Sequence, residues 1–217
     1  MKKLLVCATF ALFSSLSYAN HNDKTAEALL TSLVNCDSRF FSTIYQHQNE
    51  LAQFAPIQQI NQQKAYFVVK DRQKSPDNYI SFNTPLHFND IAITGYYDSA
   101  MNLGKYGDYY FWGLTIESDD IVQVKNVLSF VDWKEMEKNQ LYIANTKIRQ
   151  TGDSIEHWRD NTEIEMGVKT VPLSGTAEKL LLLEKTPGTV TLYCSIQGFL
   201  PPELLAIERP DLPKAEY

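Results

Sequence analysis

Apolar residues recur at three- and four-residue steps between Thr25 and Phe54, at Ala28, Leu29, Leu33, Cys36, Phe40, Phe41, Ile44 and Leu51. That spacing predicts a helix over residues 25–54, which Pro56 closes. Residues 58–64 are Gln-rich and read as a polar linker. The period then shortens: residues 65–70, 79–88, 91–98 and 109–116 alternate or run apolar as strands do. Lys74 to Asn78 supplies a turn, Pro85 marks an edge or a bulge, and a loop with Gly104 and Gly107 joins the last two strands. After Glu117 the pattern restarts. Ser118-Asp119-Asp120 offers an N-cap and an acidic first turn to a helix whose stripe is Ile121, Val124, Val127, Leu128 and Val131. Residues 141–149, 155–158, 163–171, 178–185 and 189–196 are predicted strands. Thr151-Gly152-Asp153, Ser174-Gly175 and Pro187-Gly188 separate them as turns.

A helix followed by several hairpin-linked strands, met twice, predicts an α+β fold with helices on one face of an antiparallel sheet. The halves, residues 25–117 and 118–197, read as two tandem α-β-β-β-β repeats within a single domain over residues 20–200. In this order of elements the chain resembles the beta-lactamase-inhibitor proteins, secreted binders of other proteins built as tandem helix-plus-four-strand repeats. The resemblance covers about residues 25–197 and rests on element order. It implies the fold and a protein-binding role, and it carries no site residues. Residues 201–217 are Pro-rich and predict an extended tail docked through Phe199, Leu204 and Ile207.

The first residues carry a different pattern. Lys2-Lys3 precedes an apolar run from Leu4 to Leu16, and Ser17-Tyr18-Ala19 places small residues where signal peptidase cuts. Residues 1–19 therefore read as a signal peptide cleaved after Ala19, with the mature chain exported to the periplasm or secreted. The run is too short to span about 30 Å of hydrocarbon, and no later segment is long and apolar enough for permanent membrane insertion. Cys7 follows too short an apolar run, behind Val6, to be a lipidation site. With Cys7 removed, Cys36 and Cys194 remain, and an oxidising compartment pairs them as a structural disulfide.

The chain has 217 residues, 44% hydrophobic and 12% aromatic, with formal net charge −6. This is ample apolar material for a core, and the acidic balance argues against a nucleic-acid partner, which selects for Lys and Arg. No Gly-x-Ser-x-Gly elbow, Ser-x-x-Lys, His-Glu-x-x-His or phosphate-binding glycine loop occurs. His21, His47, His87 and His157 lack the spacing of a zinc site. The run from Ser154 to Asp160, read as a strand, points Ser154 and His157 to opposite faces, poor geometry for a nucleophile and its base. The sequence thus predicts no catalytic residues, no metal and no cofactor.

The stretch from Tyr96 to Trp112 interleaves aromatics with Gly, Ser, Asn and Asp, the composition of protein-binding surfaces. Tyr96, Asp98, Tyr106, Asp108, Tyr110 and Trp112 are its candidate partner-binding residues. Tyr97, Tyr109 and Phe111 read as inward strand residues, with Tyr110 and Trp112 on the opposite face. The leading reading is a non-enzymatic, inhibitor- or immunity-like protein that occupies another envelope or exported protein, a basic one suiting its acidic surface. The alternatives are a carrier of a small apolar ligand and a hydrolase whose carboxylates converge only in the fold.

Overall fold

The computed structural model describes residues 14–165 and 171–213. Three helices replace the single predicted N-terminal one: α1 (Ser14–Leu33), α2 (Arg39–Gln46) and α3 (Gln48–Leu51). The break has a backbone cause. Cys36 adopts a left-handed φ of 51°, which ends the helical path and turns the cysteine toward the sheet. Beyond it α2 buries Phe40, Phe41 and Ile44. The Gln-rich segment is a strand and not a linker: β1 (Ile57–Asn61) pairs with β2 (Lys64–Phe67) in a separate hairpin. Its glutamines face water, and the hairpin buries Ala65 and Phe67 instead.

The remaining strands form one antiparallel sheet. They are β3 (Tyr79–Phe88), β4 (Ile91–Asn102), β5 (Asp108–Glu117), β6 (Lys134–Glu137), β7 (Leu141–Gln150), β8 (Arg159–Asp160), β9 (Thr176–Thr186) and β10 (Thr189–Gly198). Their order is β3-β4-β5-β10-β9-β7-β6, with β8 on β7. The chain is thus an α+β protein. Each half of the chain runs as a meander, and the last strands of the two halves pair along their whole length, from Thr189↔Glu117 to Gly198↔Asp108. Strand β3 lies at the sheet edge and loses register between Ser81 and Leu86, where Pro85 removes a backbone donor.

Between the halves, Asp120 caps α4 (Ile121–Val127) by accepting from the Val122 and Gln123 backbone N–H groups at 2.9 and 3.2 Å. Residues 155–158 form turns and not a strand, and pairing begins only at Arg159. The strand expected over residues 163–171 is instead a single helical turn, α5 (Thr162–Glu165), and residues 166–170 lie outside the described residues. The tail is also corrected. Pro202 occupies the first turn of α6 (Pro202–Glu208), where its missing N–H costs nothing. Leu200, Leu204, Leu205 and Leu212 are buried, while Phe199 and Ile207 are exposed. No described helix is long and apolar enough to cross a membrane.

Side-chain parity divides the sheet into two faces. Tyr110, Trp112, Leu114 and Ile116 of β5 join Val190, Leu192, Cys194 and Ile196 of β10 in the main core, beneath residues of α1, α2, α4 and α6. Cys36 and Cys194 are bonded, with Cα atoms 5.3 Å apart, and staple the α1–α2 corner to the central strand. On the opposite face a small cluster of Ile143, Leu180 and Leu182 is covered by Ile164 of α5. Elsewhere on that face, over β4, β5 and β10, Ser99, Tyr109, Thr115, Ser195 and Gln197 are buried, and Tyr97, Phe111 and Tyr193 are half-exposed.

Candidate functional site

The β4–β5 hairpin carries the aromatic run, and its pairing decides which residues can meet a partner. Opposite pairs Tyr96↔Leu114, Asp98↔Trp112 and Ala100↔Tyr110 face the helices. Tyr96, Asp98 and Trp112 are fully buried and Tyr110 nearly so, so these four candidates form no contact surface. Hydrophobic residues continue at every second position from Tyr110 to Ile116, and that uninterrupted stripe must face the core. Tyr97, Tyr109 and Phe111 consequently lie on the other face, the reverse of the sequence expectation. Tyr106 is exposed and Asp108 half-buried at the hairpin tip. There Asn102 Nδ2 donates to Asp108 Oδ1 at 2.6 Å, and Lys105 lies 4.9 Å from the Tyr106 ring.

Asp98 is buried because it is neutralised. Arg209, wholly buried beyond α6, donates from Nη2 to Asp98 Oδ1 at 2.8 Å and from Nε and Nη2 to Asp211 at 2.9 and 2.8 Å. Arg72 donates to the second oxygen of Asp98 at 2.8 Å and to Asp211 at 3.0 Å. The Arg209 guanidinium also lies 4.6 Å over the Trp112 ring. Burial works against the charge on Arg209, but the two carboxylates outweigh it and hold its pKa well above normal. For Asp211 burial pushes upward, yet Arg209 and Arg72 hold the carboxyl below its usual range. This closed quartet straps the C-terminal segment to the sheet. Nearby, Lys179 Nζ donates to both oxygens of Glu208 at 3.0 Å, and Trp158 Nε1 donates to the same carboxylate at 2.9 Å. Both groups serve packing.

The opposite face holds a different arrangement. Gly113 sits mid-strand on β5, between Tyr97 of β4 and Tyr193 of β10. A Cβ at this position would collide with the Leu192 carbonyl and the Tyr193 side chain. Without one, the two tyrosine rings lean over the glycine and meet edge to face, with centroids 6.5 Å apart. Phe111 stands against the other side of Tyr193 at 6.1 Å, interplanar angle 67°. Tyr193 Oη donates to Glu184 Oε2 at 2.6 Å. Burial, and then that carboxylate, push the Tyr193 phenol far above its ordinary pKa. Tyr97, Phe111 and Tyr193, with Met101, Thr115, Thr191 and Glu184, line a depression of about 340 Å³. At the hairpin end the face continues into an apolar rim: Tyr106, Leu173 and Phe199 border a crevice and are exposed, and Met101 and Leu103 are exposed beside it.

Towards β9 the same face turns polar and closed. Glu178 accepts from Asn161 Nδ2 at 3.2 Å and from Gln197 Nε2 at 3.1 Å. Burial raises its carboxyl above the ordinary range, and the two amide donors restrain the rise.

Two clusters carry the residue types of a nucleophile and its base, and neither sets them in that geometry. His157 is exposed on a turn, so the Ser154–Asp160 run forms no shared face. A Thr25–His47–Glu50 cluster exists, but Thr25 Oγ1 and Glu50 Oε2 both meet the same ring nitrogen, Nδ1, and Thr25 is buried. It joins α1 to α3. Among the described residues, no three of His, Cys, Asp and Glu gather as a metal ion would require. No protein-family model, curated protein or solved structure matches the chain.

Sequence reasoning therefore missed Tyr97, Phe111, Tyr193 and Glu184 as site residues. One signal was present. From residue 109 the odd positions of β5 read Tyr, Phe, Gly, Thr, broken by a glycine and a threonine, while the even positions read Tyr, Trp, Leu, Ile. The unbroken set belongs inside.

Proposed function

We propose that this chain is an exported, non-enzymatic binding protein that occupies another envelope protein, in the manner of an inhibitor or immunity protein. The observation that carries the reading is the open face over Gly113, where Tyr97, Phe111 and Tyr193 stand half-exposed beside the rim of Met101, Leu103, Tyr106 and Phe199. Rigid aromatics at a partly desolvated centre are what protein interfaces use as anchors. Export rests on the signal-like residues 1–19, of which 1–13 lie outside the described residues, and is supported by the disulfide, which belongs to an oxidising compartment. Phe40, Phe41, Phe67, Tyr96 and Trp112 are fully buried in the helix–sheet core and serve its packing.

The test uses mature Asn20–Tyr217 as bait in envelope extract, beside a Phe111→Ala/Tyr193→Ala variant whose circular dichroism matches the parent. The expected result is a stoichiometric partner held by the parent and lost by the variant, and a change in that partner's activity when the parent is added. A partner retained equally by both baits, or no partner, overturns the reading.

A further inference from the structure

We propose that the depression on the open sheet face is a cation pocket that receives the side chain of a lysine or arginine presented by the partner protein. The inference deepens the binding reading above and rests on it for the source of the cation. Its basis is the chemistry of the lining. Three rings wall the depression, with Tyr193 steeply inclined to both Tyr97 and Phe111, at 80° and 67°. Ring faces are the negative side of the aromatic quadrupole and attract ammonium and guanidinium groups. Glu184 adds a full negative charge at the same place. It accepts from Tyr193 through Oε2 and has no cationic partner among the described residues. Among the lining residues there is one carboxylate and no Lys, Arg or His. Glu117, exposed on β5 two residues beyond the lining residue Thr115, extends the acidic side of the face.

Two features set this apart from ordinary cross-strand packing. Aromatic rings that lean over a strand glycine explain the Tyr97–Tyr193 contact, but they do not call for a carboxylate hydrogen-bonded to one of the rings. The buried carboxylates Asp98, Asp211 and Glu208 meet Arg or Lys within 3.0 Å and buried Glu178 meets two amide donors, whereas exposed Glu135 accepts from Tyr142, a ring that Lys125 Nζ approaches to 4.8 Å. Glu184 stands exposed with a phenol as its partner, where an incoming cation can reach it and the ring faces together.

The experiment titrates the full mature protein with acetyl-arginine methylamide, acetyl-lysine methylamide and the neutral isostere acetyl-citrulline methylamide, read by NMR shifts of the aromatic and backbone resonances. The cationic probes are expected to bind weakly, with a Kd of about 10 mM, and to move Tyr97, Phe111 and Tyr193. Citrulline should bind at least about tenfold less well, and Glu184→Gln should weaken the cations about fivefold. Because Glu184 is exposed, that variant keeps the fold, and Tyr193→Phe serves as a second one that retains the ring. Cation binding should survive Tyr193→Phe within about threefold. Equal binding of citrulline, shifts elsewhere, indifference to Glu184→Gln or no saturable shift overturns the pocket. If the cations bind as stated but no envelope partner depends on this face, the pocket stands and the binding-protein reading falls. If the partner depends on the face but no cation binds, only the pocket falls.

Discussion

Replacing Arg209 with methionine should cost about 3 to 5 kcal/mol, the usual penalty for leaving a buried charge without its partner. Arg209 is wholly buried and makes three hydrogen bonds to Asp98 and Asp211. Its removal leaves two buried carboxylates with Arg72 between them, and a neutral cluster acquires a negative charge. Methionine keeps most of the volume, so the cavity contribution stays small. With a urea m-value of about 2 kcal/mol/M, the midpoint should fall by about 1.5 to 2.5 M. Arg209→Lys keeps the charge but cannot hold both carboxylates through one planar fork, and should lose about 1.5 to 3 kcal/mol. The effect should depend on pH with a definite sign. The folded Asp211 carboxyl is held below its ordinary value, so its contribution is complete above the unfolded pKa and disappears as pH falls through the folded one. The parent's advantage over Arg209→Met must therefore shrink as pH falls below about 4. Urea melts at several pH values would measure this. A loss below about 1 kcal/mol at neutral pH, or an advantage that grows in acid, would refute the quartet as a stabilising strap.

Reduction of Cys36–Cys194, or its replacement by two serines, should remove up to about 5 kcal/mol, because the bridge spans 158 residues of sequence. Thermal melts with and without reductant give the value, and an unchanged melting temperature contradicts it. Glu178 works in the opposite pH direction from Asp211. Burial raises its folded pKa, so the stability it contributes is lost as pH rises above about 4.3, and the stability of the parent relative to Glu178→Gln should fall between pH 4 and 7. A difference that stays flat over that range removes the effect. Gly113→Ala forces a methyl into the Leu192 carbonyl and the Tyr193 side chain; it should cost about 1 to 3 kcal/mol and weaken the tyrosine near-ultraviolet dichroism. Retention of both signals would show that β5 and β10 accommodate the methyl.

How much could be read in advance depended on how local each cause was. The Asp120 cap, the break at Pro85 and the strands around residues 79–88, 109–116 and 189–196 follow from a few neighbouring residues, and all are present. The disulfide followed from counting cysteines. The break at Cys36 did not show in the periodicity, because apolar spacing continues across it and only the left-handed backbone interrupts the helix. Polar Gln58–Asn61 looked like a linker because a small hairpin can leave its glutamines in water. The largest error concerned Asp98. An acidic residue in an aromatic hairpin reads as exposed, and its burial depends on Arg72 and Arg209, 26 and 111 residues away. No local pattern carries such a pairing. The open-face site was hidden for the same reason, since Tyr193 and Glu184 reach Tyr97 only through the order β4-β5-β10-β9.

The quartet also bears on which residues form the open face. Residues 96 to 101 alternate between core and open face, so a one-residue slip of β4 would bring Tyr97 inside and Asp98 out. Hydrophobicity resists that slip weakly, because either tyrosine can fill the core. Asp98 discriminates much more strongly: on the helix side it meets Arg209 and Arg72, whereas a slip would strand two buried guanidinium groups with Asp211 as their remaining carboxylate. Buried ion pairs contribute little net stability against apolar replacements, but they do penalise wrong arrangements. The strap on the helix side therefore fixes the register that places Tyr97 beside Tyr193. In an Asp98→Leu/Arg209→Leu variant, recovery of stability together with doubled Tyr97 resonances would separate this register role from simple cohesion. A single set of parental resonances would assign the register to the backbone pairing of β4 with β5 alone.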